Sequence, residues 1–325
     1  MALSKIETAS LGVGQFGGRR NMLINGDCSV WQRGTSHTNG GLSYYSIDRW
    51  WTYNVNGTFQ RSTEVPAGEG FAYSMNMAGT WNSLGQPIEL PAQGVTMLKP
   101  NTDYCISFWV KGATTTTTPY VTHRYRDQKG SGAGNVNIDG GTTNYTITPE
   151  WQRIAIVFNT GTTVPAATNN ILDIEFAGWG ATQTNTYLTG FQLEEGSTPS
   201  PFEHTLAGEQ LALCQRFFHQ LGGGANKTIA HVYPPSGAEL AFDITFPVTM
   251  RAIPSVSFSS ANNLTYRYAG NSSQQFNRTS GSISTGQMTE AGGSPWFAGF
   301  THSSNEPGEV RVTSGTVYMQ FDAEV

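Results

Sequence analysis

Short segments in which apolar and polar residues alternate recur along most of this chain. Alternation with a period of two is typical of strands that bury one face. The segments are 104–111, 153–158, 172–176, 188–194, 240–246, 255–258, 296–300 and 316–324. Clusters of Gly, Asn, Thr and Pro separate them, as expected of turns between strands. The pattern predicts an all-β fold, with a jelly-roll β-sandwich over residues 21–204 and a smaller C-terminal β-sandwich-like domain over 222–325.

One segment has the period of a helix instead. Between Leu206 and Leu221 the apolar residues recur at intervals of three and four, which places them on one stripe. Thr205 is placed to cap the start of a helix, and the glycines that follow Leu221 are placed to end it. We therefore predict one linking α-helix over residues 205–221, between the two β-domains.

The apolar stripe of this predicted helix is wider than a connection between two domains needs, because each domain has a core of its own. A surplus apolar face is best buried across a symmetry axis, and in fibres that axis is usually three-fold. We predict a homotrimer with Leu211, Cys214 and Phe218 near the contact between subunits. The alternative is that the stripe packs on the C-terminal domain of the same chain.

The first 20 residues are small, Gly-rich and without periodicity, so they predict an extended arm that orders only against another protein or protomer. The arm contains a G-x-G-x-x-G at Gly12, Gly14 and Gly17. A dinucleotide site would need a strand before this motif and a helix after it. Nothing helical follows, since Arg20 runs directly into a strand-like segment, and we reject the nucleotide interpretation.

Composition narrows the possible functions. The chain has 18 Lys and Arg against 23 Asp and Glu, and only 13% of its residues are charged, which argues against a nucleic-acid partner. Aromatic residues make up 12%, enough for folded cores, and we expect Trp31 and Trp50 to lie in one. No apolar run of about 18 residues and no signal segment is present, so membrane insertion is not expected.

Three widely spaced cysteines, Cys28, Cys105 and Cys214, form no CxxC pair. They predict small buried thiols rather than a disulfide framework or a zinc module. Together with the absence of a signal segment, this favours a protein made in a reducing cytoplasm, with no cofactor.

Catalytic patterns are weak. The sequence has no G-x-S-x-G, and its six histidines lack metal-ligand spacing. Glu194 and Glu195 are adjacent and point to opposite faces of a strand. Asp173 and Glu175 do share a face, which a glycosidase could use, but surface acids on strands are commoner than catalytic pairs. We predict a non-enzymatic protein.

A glycan-binding surface is better supported. Sugars are held by aromatic platforms and by planar polar side chains in a shallow groove. Alternation turns Trp109 away from the sandwich core, and the same parity turns Asp173, Glu175 and Gln192 outward. We predict these four residues as a glycan site that is weak in each copy and strengthened by several copies. The alternative is that Trp109 packs under a loop or a neighbouring subunit.

Two segments at the ends of the predicted sandwich carry a family resemblance. Residues 21–51 contain NMLINGDCSVWQRGTS and YYSIDRWW, and residues 190–219 read GFQLEEGSTPSPFEHTLAGEQLALCQRFFH. Together they resemble a module of bacteriophage virion proteins, especially tail-fibre and related appendage proteins. The opening MALSKIETAS is similar to the start of short phage fibre chains. The last 105 residues resemble this family only in general character.

The resemblance implies a jelly roll similar to carbohydrate-binding modules, followed by a helix and a C-terminal β-domain. It implies a non-enzymatic virion protein, a fibre or a head or tail appendage, made in the host bacterial cytoplasm and displaying the module for attachment to host-surface glycans. Residues 1–20 would anchor it to other virion proteins. Related jelly rolls often hold a structural calcium, for which Asp27 or Glu194 would serve, although a calcium site needs six or more oxygens.

Two alternatives stay open. One is a capsid decoration or tail-adaptor protein with purely structural contacts and no ligand. The other is a tail protein that degrades polysaccharide.

Overall fold

The structure is a computed structural model that describes most of the chain. The described residues are 19–40, 47–53, 55–80, 83–112, 118–129, 134–178, 183–236, 239–260, 263–268, 275–278, 283–300 and 306–324. Residues 1–18 of the predicted arm, with the Gly-rich motif, lie outside them. The chain divides into two compact units, with the boundary between Gln210 and Leu211. We call these the N-terminal unit and the C-terminal unit.

The N-terminal unit contains two antiparallel sheets. Its strands are β1 (Ser36–Gly40), β2 (Trp51–Tyr53), β3 (Val55–Ser62), β4 (Ser74–Thr80), β5 (Ser83–Glu89), β6 (Asp103–Lys111), β7 (Tyr120–Arg126), β8 (Val136–Asn144), β9 (Gln152–Asn159), β10 (Ile171–Ala177) and β11 (Gln183–Glu195). The six-stranded sheet has the order β1-β3-β4-β11-β6-β9, and the five-stranded sheet has the order β2-β5-β10-β7-β8.

One apolar core lies between these sheets. Phe108 on β6 meets Phe176 on β10 edge-to-face at 4.9 Å, and Phe176 meets Phe191 on β11 at 5.1 Å. Trp50 is fully buried and Trp31 is 8% exposed, and both belong to this core as expected. The prediction of an all-β sandwich is confirmed, because alternation does bury one face of each sheet.

The NGD turn of the opening motif has a structural role. Asn25 has a φ of 57°, and its side chain bonds both the amide and the carbonyl of Val30. A Cβ on Gly26 would lie 2.1 Å from the carbonyl oxygen of Phe191. Only glycine fits at this position, where the opening turn touches the closing strand β11.

The C-terminal unit is also built of strands. After helix α1 (Ala207–Gln215), which spans the boundary, come β12 (Phe218–Gly224), β13 (Thr228–Ser236), β14 (Glu239–Ala241), β15 (Ile244–Thr245), β16 (Ser255–Phe258), β17 (Leu264–Tyr268), β18 (Gln275–Asn277), β19 (Ile283–Ser284), β20 (Met288–Thr289), β21 (Gly292–Gly293), β22 (Trp296–Ala298), β23 (Gly308–Val312) and β24 (Thr316–Asp322). The sheets have the orders β12-β24-β16, β18-β17-β23-β13-β14-β22-β19 and β15-β21-β20.

The linking helix is shorter than its pattern predicts. It ends at Gln215, and Phe218 starts strand β12 opposite Asp322 of β24. The prediction of a helix through Leu221 is wrong, because antiparallel pairing satisfies the backbone groups there. The glycines at the end of β12 also disfavour a helix.

The predicted subunit contact is wrong for two of its three residues. Cys214 is fully buried and Phe218 is 2% exposed within the single chain, so neither side chain is available to a partner. Part of the apolar stripe is therefore buried within the chain itself. Leu211 is 37% exposed. Homotrimer formation itself stays a prediction.

All three cysteines are buried thiols, as predicted. Cys28 and Cys105 lie in the N-terminal unit and Cys214 lies in the C-terminal unit. Burial raises the pKa of the Cys28 thiol far above its usual range, and raises that of Cys105 to about 11. Among the helices of the described residues, none is long and apolar enough to cross a membrane.

Candidate functional site

The four predicted glycan residues lie on two different sheets. Trp109 on β6 and Gln192 on β11 belong to the six-stranded sheet, whereas Asp173 and Glu175 are on β10 of the five-stranded sheet. The outer faces of the two sheets point in opposite directions, so the prediction that these residues share one surface is wrong. Alternation fixes which face a residue takes, and strand order decides which residues become neighbours.

Gln192 is fully buried although it points away from the core. Its amide donates to Glu194 Oε1 at 2.8 Å, and its carbonyl oxygen accepts the backbone N–H of Glu203 at 2.8 Å. The segment 200–203 therefore covers this part of the outer face. Gln192 fixes that segment in place, and its location contradicts the expectation of an exposed glycan contact.

Trp109 is half-buried and packs beside a bulge in β11. A Cβ on Gly190 would lie 3.0 Å from Trp109 Cδ1 and 2.7 Å from Phe71 Cζ, so both rings lie close to that glycine. This packing agrees with the alternative that Trp109 lies under a loop.

Neither residue named for calcium has oxygens arranged for a metal. Glu194 accepts hydrogen bonds from Ser200 N at 2.9 Å and from Gln192, and lies 3.3 Å from Arg20 Nε. Asp27 Oδ1 accepts the hydroxyl of Ser29 at 2.9 Å. The described part of the chain contains no group of three or more His, Cys, Asp or Glu side chains that could hold a metal ion.

The outer face of the five-stranded sheet holds a buried charge cluster. Arg126 on β7 places one guanidinium nitrogen 2.9 Å from Asp173 Oδ2 and the other 2.7 Å from Glu175 Oε2. Asp173 also accepts the indole N–H of Trp51 at 3.2 Å and is fully buried. Burial and the neighbouring Arg126 lower the pKa of Arg124 on the same strand. The cluster is rigid and prearranged, since each member is held by at least one charged partner.

Next to this cluster, a row of four side chains crosses the same face of the five-stranded sheet. Pairing aligns Tyr53 of β2 with Ser83 of β5, Ser83 with Ala177 of β10, and Ala177 with Tyr120 of β7. Two small residues thus separate two tyrosines that are three strands apart, about 14 Å at the usual strand spacing. Tyr53 is 39% exposed and Tyr120 is half-buried. We call Tyr53, Ser83, Ala177 and Tyr120 the tyrosine groove.

Polar groups border the tyrosine groove along the next row. Glu175 pairs with Thr122 of β7, and Thr122 pairs with the exposed Thr142 of β8. Arg124 donates to the Thr142 hydroxyl at 3.3 Å. A carboxylate, hydroxyls and a guanidinium therefore lie two residues along the strands, about 7 Å, from a floor flanked by aromatic rings.

This arrangement is suited to binding and poorly suited to acid–base hydrolysis. A glycosidase needs one carboxyl that donates a proton and a second that acts as base or nucleophile. Asp173 and Glu175 instead both form ion pairs with the guanidinium of Arg126. Planar polar groups beside aromatic rings match the two kinds of surface that a sugar presents.

Sequence reasoning missed Tyr53 and Tyr120. They are 67 positions apart, and only the order β2-β5-β10-β7 brings them into one row. The available signal was that both tyrosines begin or end a strand and flank polar loops, which is too general to identify a site.

Comparisons with known proteins give no family. No family model matches the chain, and no curated protein sequence matches it. Solved structures that resemble it include the enzymatically active domain of bacteriophage CBA120 tailspike protein 4, with 17% identity over 54% of this chain and 21% of that chain, and a TM-score of 0.33. The xylan-binding domain from Paenibacillus barcinonensis is 14% identical over 55% of this chain and 96% of its own, with a TM-score of 0.33.

A family 11 carbohydrate-binding module of a Clostridium thermocellum cellulase is 14% identical over 55% of this chain and 96% of its own, with a TM-score of 0.31. Likenesses at TM-scores below 0.5 carry no argument about fold or function. The assignment of a function therefore rests on the residues of this chain.

Proposed function

We propose that the N-terminal unit binds a glycan along the tyrosine groove, without cleaving it. The observation that carries this proposal is the row Tyr53–Ser83–Ala177–Tyr120, in which two rings flank a floor of small side chains. The apolar faces of sugar rings pack on aromatic rings, and their hydroxyls bond planar polar groups such as the Glu175 carboxylate. The Arg126 cluster supports the proposal by holding Glu175 in a fixed orientation.

Binding at a single groove is expected to be weak. A site with two stacking rings and a buried floor corresponds to a Kd on the order of a millimolar. Several copies on one assembly would raise the effective affinity without any new contact, because the later binding events become intramolecular. Attachment to a cell surface densely covered with glycans is the use that suits such a site.

The test is a glycan array probed with the full-length protein and with two groove variants, Tyr53→Ala and Tyr120→Ala. We expect both variants to lose binding to any glycan that the wild type recognises. Tyr187→Ala is the matched control, because Tyr187 is a half-buried tyrosine on the other sheet. Trp109→Ala serves as a second control and tests the residue that the sequence first suggested.

Three outcomes would overturn the groove. The wild type binds no glycan on the array, the groove variants bind as well as the wild type, or Trp109→Ala alone abolishes binding. Release of new reducing ends from a bound polysaccharide would contradict the non-enzymatic part of the proposal. It would favour the polysaccharide-degrading alternative.

We also propose that the protein is a bacteriophage virion appendage. The support is the pair of end motifs, NGD-x-x-x-WQRG and QLE-x-GS-x-x-x-PFE, which bracket the sandwich. The proposed arm, residues 1–20, would attach the protein to the particle, and the sandwich would face outward. Deleting residues 2–18 should leave a folded protein that no longer joins virions. Normal incorporation of the truncated chain would contradict the anchoring role, and its absence from an electron-microscopy map of the virion would contradict the whole assignment.

A further inference from the structure

The C-terminal unit contains a cleft of about 540 Å³, a size typical of small-ligand sites. Strands β13, β17 and β23 of the seven-stranded sheet line it. Its chemistry comes from five side chains: His231, Tyr233, Arg267, Tyr268 and Glu309. We call it the C-terminal cleft. No motif of the sequence analysis falls on it.

Three of these side chains form a polar row across adjacent strands. His231 of β13 pairs with Glu309 of β23, and Glu309 pairs with Arg267 of β17. Residues directly opposite each other in antiparallel strands have side chains on the same face. Val232 and Val310, their neighbours of opposite parity, are buried in the core of this unit, so the polar row faces outward.

Positive charge exceeds negative charge around Glu309. Arg267 Nη1 and Arg311 Nε each lie 3.6 Å from Glu309 Oε1. The other oxygen, Oε2, accepts the hydroxyl of Thr228 at 2.6 Å. One carboxylate thus faces two guanidinium groups. A ligand with a negative charge is favoured.

Two aromatic rings line the cleft, Tyr233 on the face of the polar row and Tyr268, of opposite parity, on the side packed against the core of this unit. Tyr233 is 42% exposed, and its hydroxyl lies 3.1 Å from Ser294 Oγ, a contact that restrains the ring. Tyr268 is half-buried and its ring centre lies 6.5 Å from that of Tyr266. Restrained tyrosines lose little entropy when they bind a flat apolar surface.

We infer that the C-terminal cleft binds a carboxylate-bearing sugar of an acidic polysaccharide. The carboxylate would pair with Arg267, which offers a fork of donors matched to two oxygens. The sugar ring would pack on Tyr233. This inference stands apart from the tyrosine groove, because it uses different residues in the other unit.

The probe is tri-galacturonic acid, and its methyl ester, which has no charge, is the matched ligand control. Titration of the full-length protein, followed by amide NMR shifts, reports affinity and position together. We expect shifts at Gly308 and Glu309, and at least about tenfold weaker binding of the ester, because a charge-assisted hydrogen bond is lost. Equal affinity for acid and ester, or shifts confined to the N-terminal unit, would overturn the inference.

Variants distinguish binding at the C-terminal cleft from binding at the N-terminal unit. Arg267→Met keeps the aliphatic stem and should remove the preference for the acid, and Tyr233→Ala should weaken both ligands. Tyr318→Ala, at a half-buried tyrosine of β24, should change neither. The double variant Tyr53→Ala/Tyr120→Ala should still bind the acid, whatever the fate of the tyrosine groove. If that double variant no longer binds the acid although the C-terminal cleft is unchanged, the acid binds at the N-terminal unit and the inference is refuted.

Tyr233→Phe is included as a control for misfolding of Tyr233→Ala, because it keeps the aromatic ring. It should bind tri-galacturonic acid as the wild type does, and failure with a wild-type unfolding profile would contradict stacking as the role of Tyr233.

Discussion

The ring of His123 packs between the two sheets of the N-terminal unit. It lies on β7, is fully buried, and stacks on Phe158 of β9 with 4.2 Å between ring centres and an interplanar angle of 8°. Burial lowers its pKa from 6.5 to about 4, since charge is costly in an apolar core. The unfolded chain therefore takes up a proton near pH 6.5, while the folded chain resists it down to about pH 4.

A first prediction follows for pH dependence. The free energy of unfolding should fall as the pH drops from 6.5 to 4, because the unfolded chain binds a proton at His123 that the folded chain does not. The loss should level off below pH 4 at about 3 kcal/mol. His123→Phe keeps an aromatic ring and cannot titrate. The free energy of unfolding, measured by urea denaturation at pH 7 and pH 4, should fall less in this variant than in the wild type. Equal losses in both proteins would show that His123 titrates normally.

Arg126 and Lys99 make a contrast between buried and exposed ion pairs. Arg126 pairs with the fully buried Asp173, whereas the Lys99–Glu195 pair lies at the surface. Removing one partner of a buried pair leaves an uncompensated charge, while an exposed pair is screened by water.

We expect Arg126→Met to lower the free energy of unfolding by about 3–5 kcal/mol. Lys99→Met, the surface control, should change it little. The double variant Arg126→Met/Asp173→Asn should recover part of the loss, because one of the two carboxylates that paired with Arg126 is then neutral. No recovery would mean that Arg126 stabilises through packing of its stem rather than through its charge.

At the scale of elements, Glu203 ties the two ends of the sandwich together. Its carboxylate accepts the backbone N–H of Arg20 at 3.0 Å and that of Asn21 at 2.6 Å. The segment that leaves β11 thereby holds the segment that enters the unit. Glu203→Ala should cost about 1.5–3 kcal/mol and should speed hydrogen exchange at those two amides. Glu69→Ala, at an exposed glutamate, is the control, and equal exchange in both variants would contradict the tie.

Strand positions could be predicted from sequence wherever one face is buried. Segments 104–111 and 172–176 match β6 and β10 to within one residue at each end. Alternation is a local property, and the core enforces it. The end of α1 was missed because β24, almost 100 residues later, pairs with the chain from Phe218 onward.

The candidate site was harder to predict for the same reason. Parity correctly turned Gln192 away from the core, but the segment 200–203 folds back over it. The tyrosine groove depends on strand order, and the sequence has no local signal for that order.

At the scale of the whole molecule, the proposed trimer makes a prediction about the remaining apolar surface near the helix. Leu206 is 80% exposed and Leu211 is 37% exposed. Light scattering of the wild type should give about three times the chain mass of 35.2 kDa. Leu206→Ser/Leu211→Ser should shift it toward one chain mass, because apolar burial drives association.

Val164→Ser is the control, since Val164 is an apolar residue 65% exposed on the sandwich. A wild type that stays at one chain mass at micromolar concentration would contradict the trimer.

The three buried cysteines can report when the structure around each of them opens. A thiol reagent attacks only an exposed, ionised sulfur, so Cys28, Cys105 and Cys214 react only during moments when the surrounding structure opens. Two of these reporters sit in one unit and the third sits in the other. The order in which the three thiols become labelled would therefore show which half of the protein opens first, without any added probe.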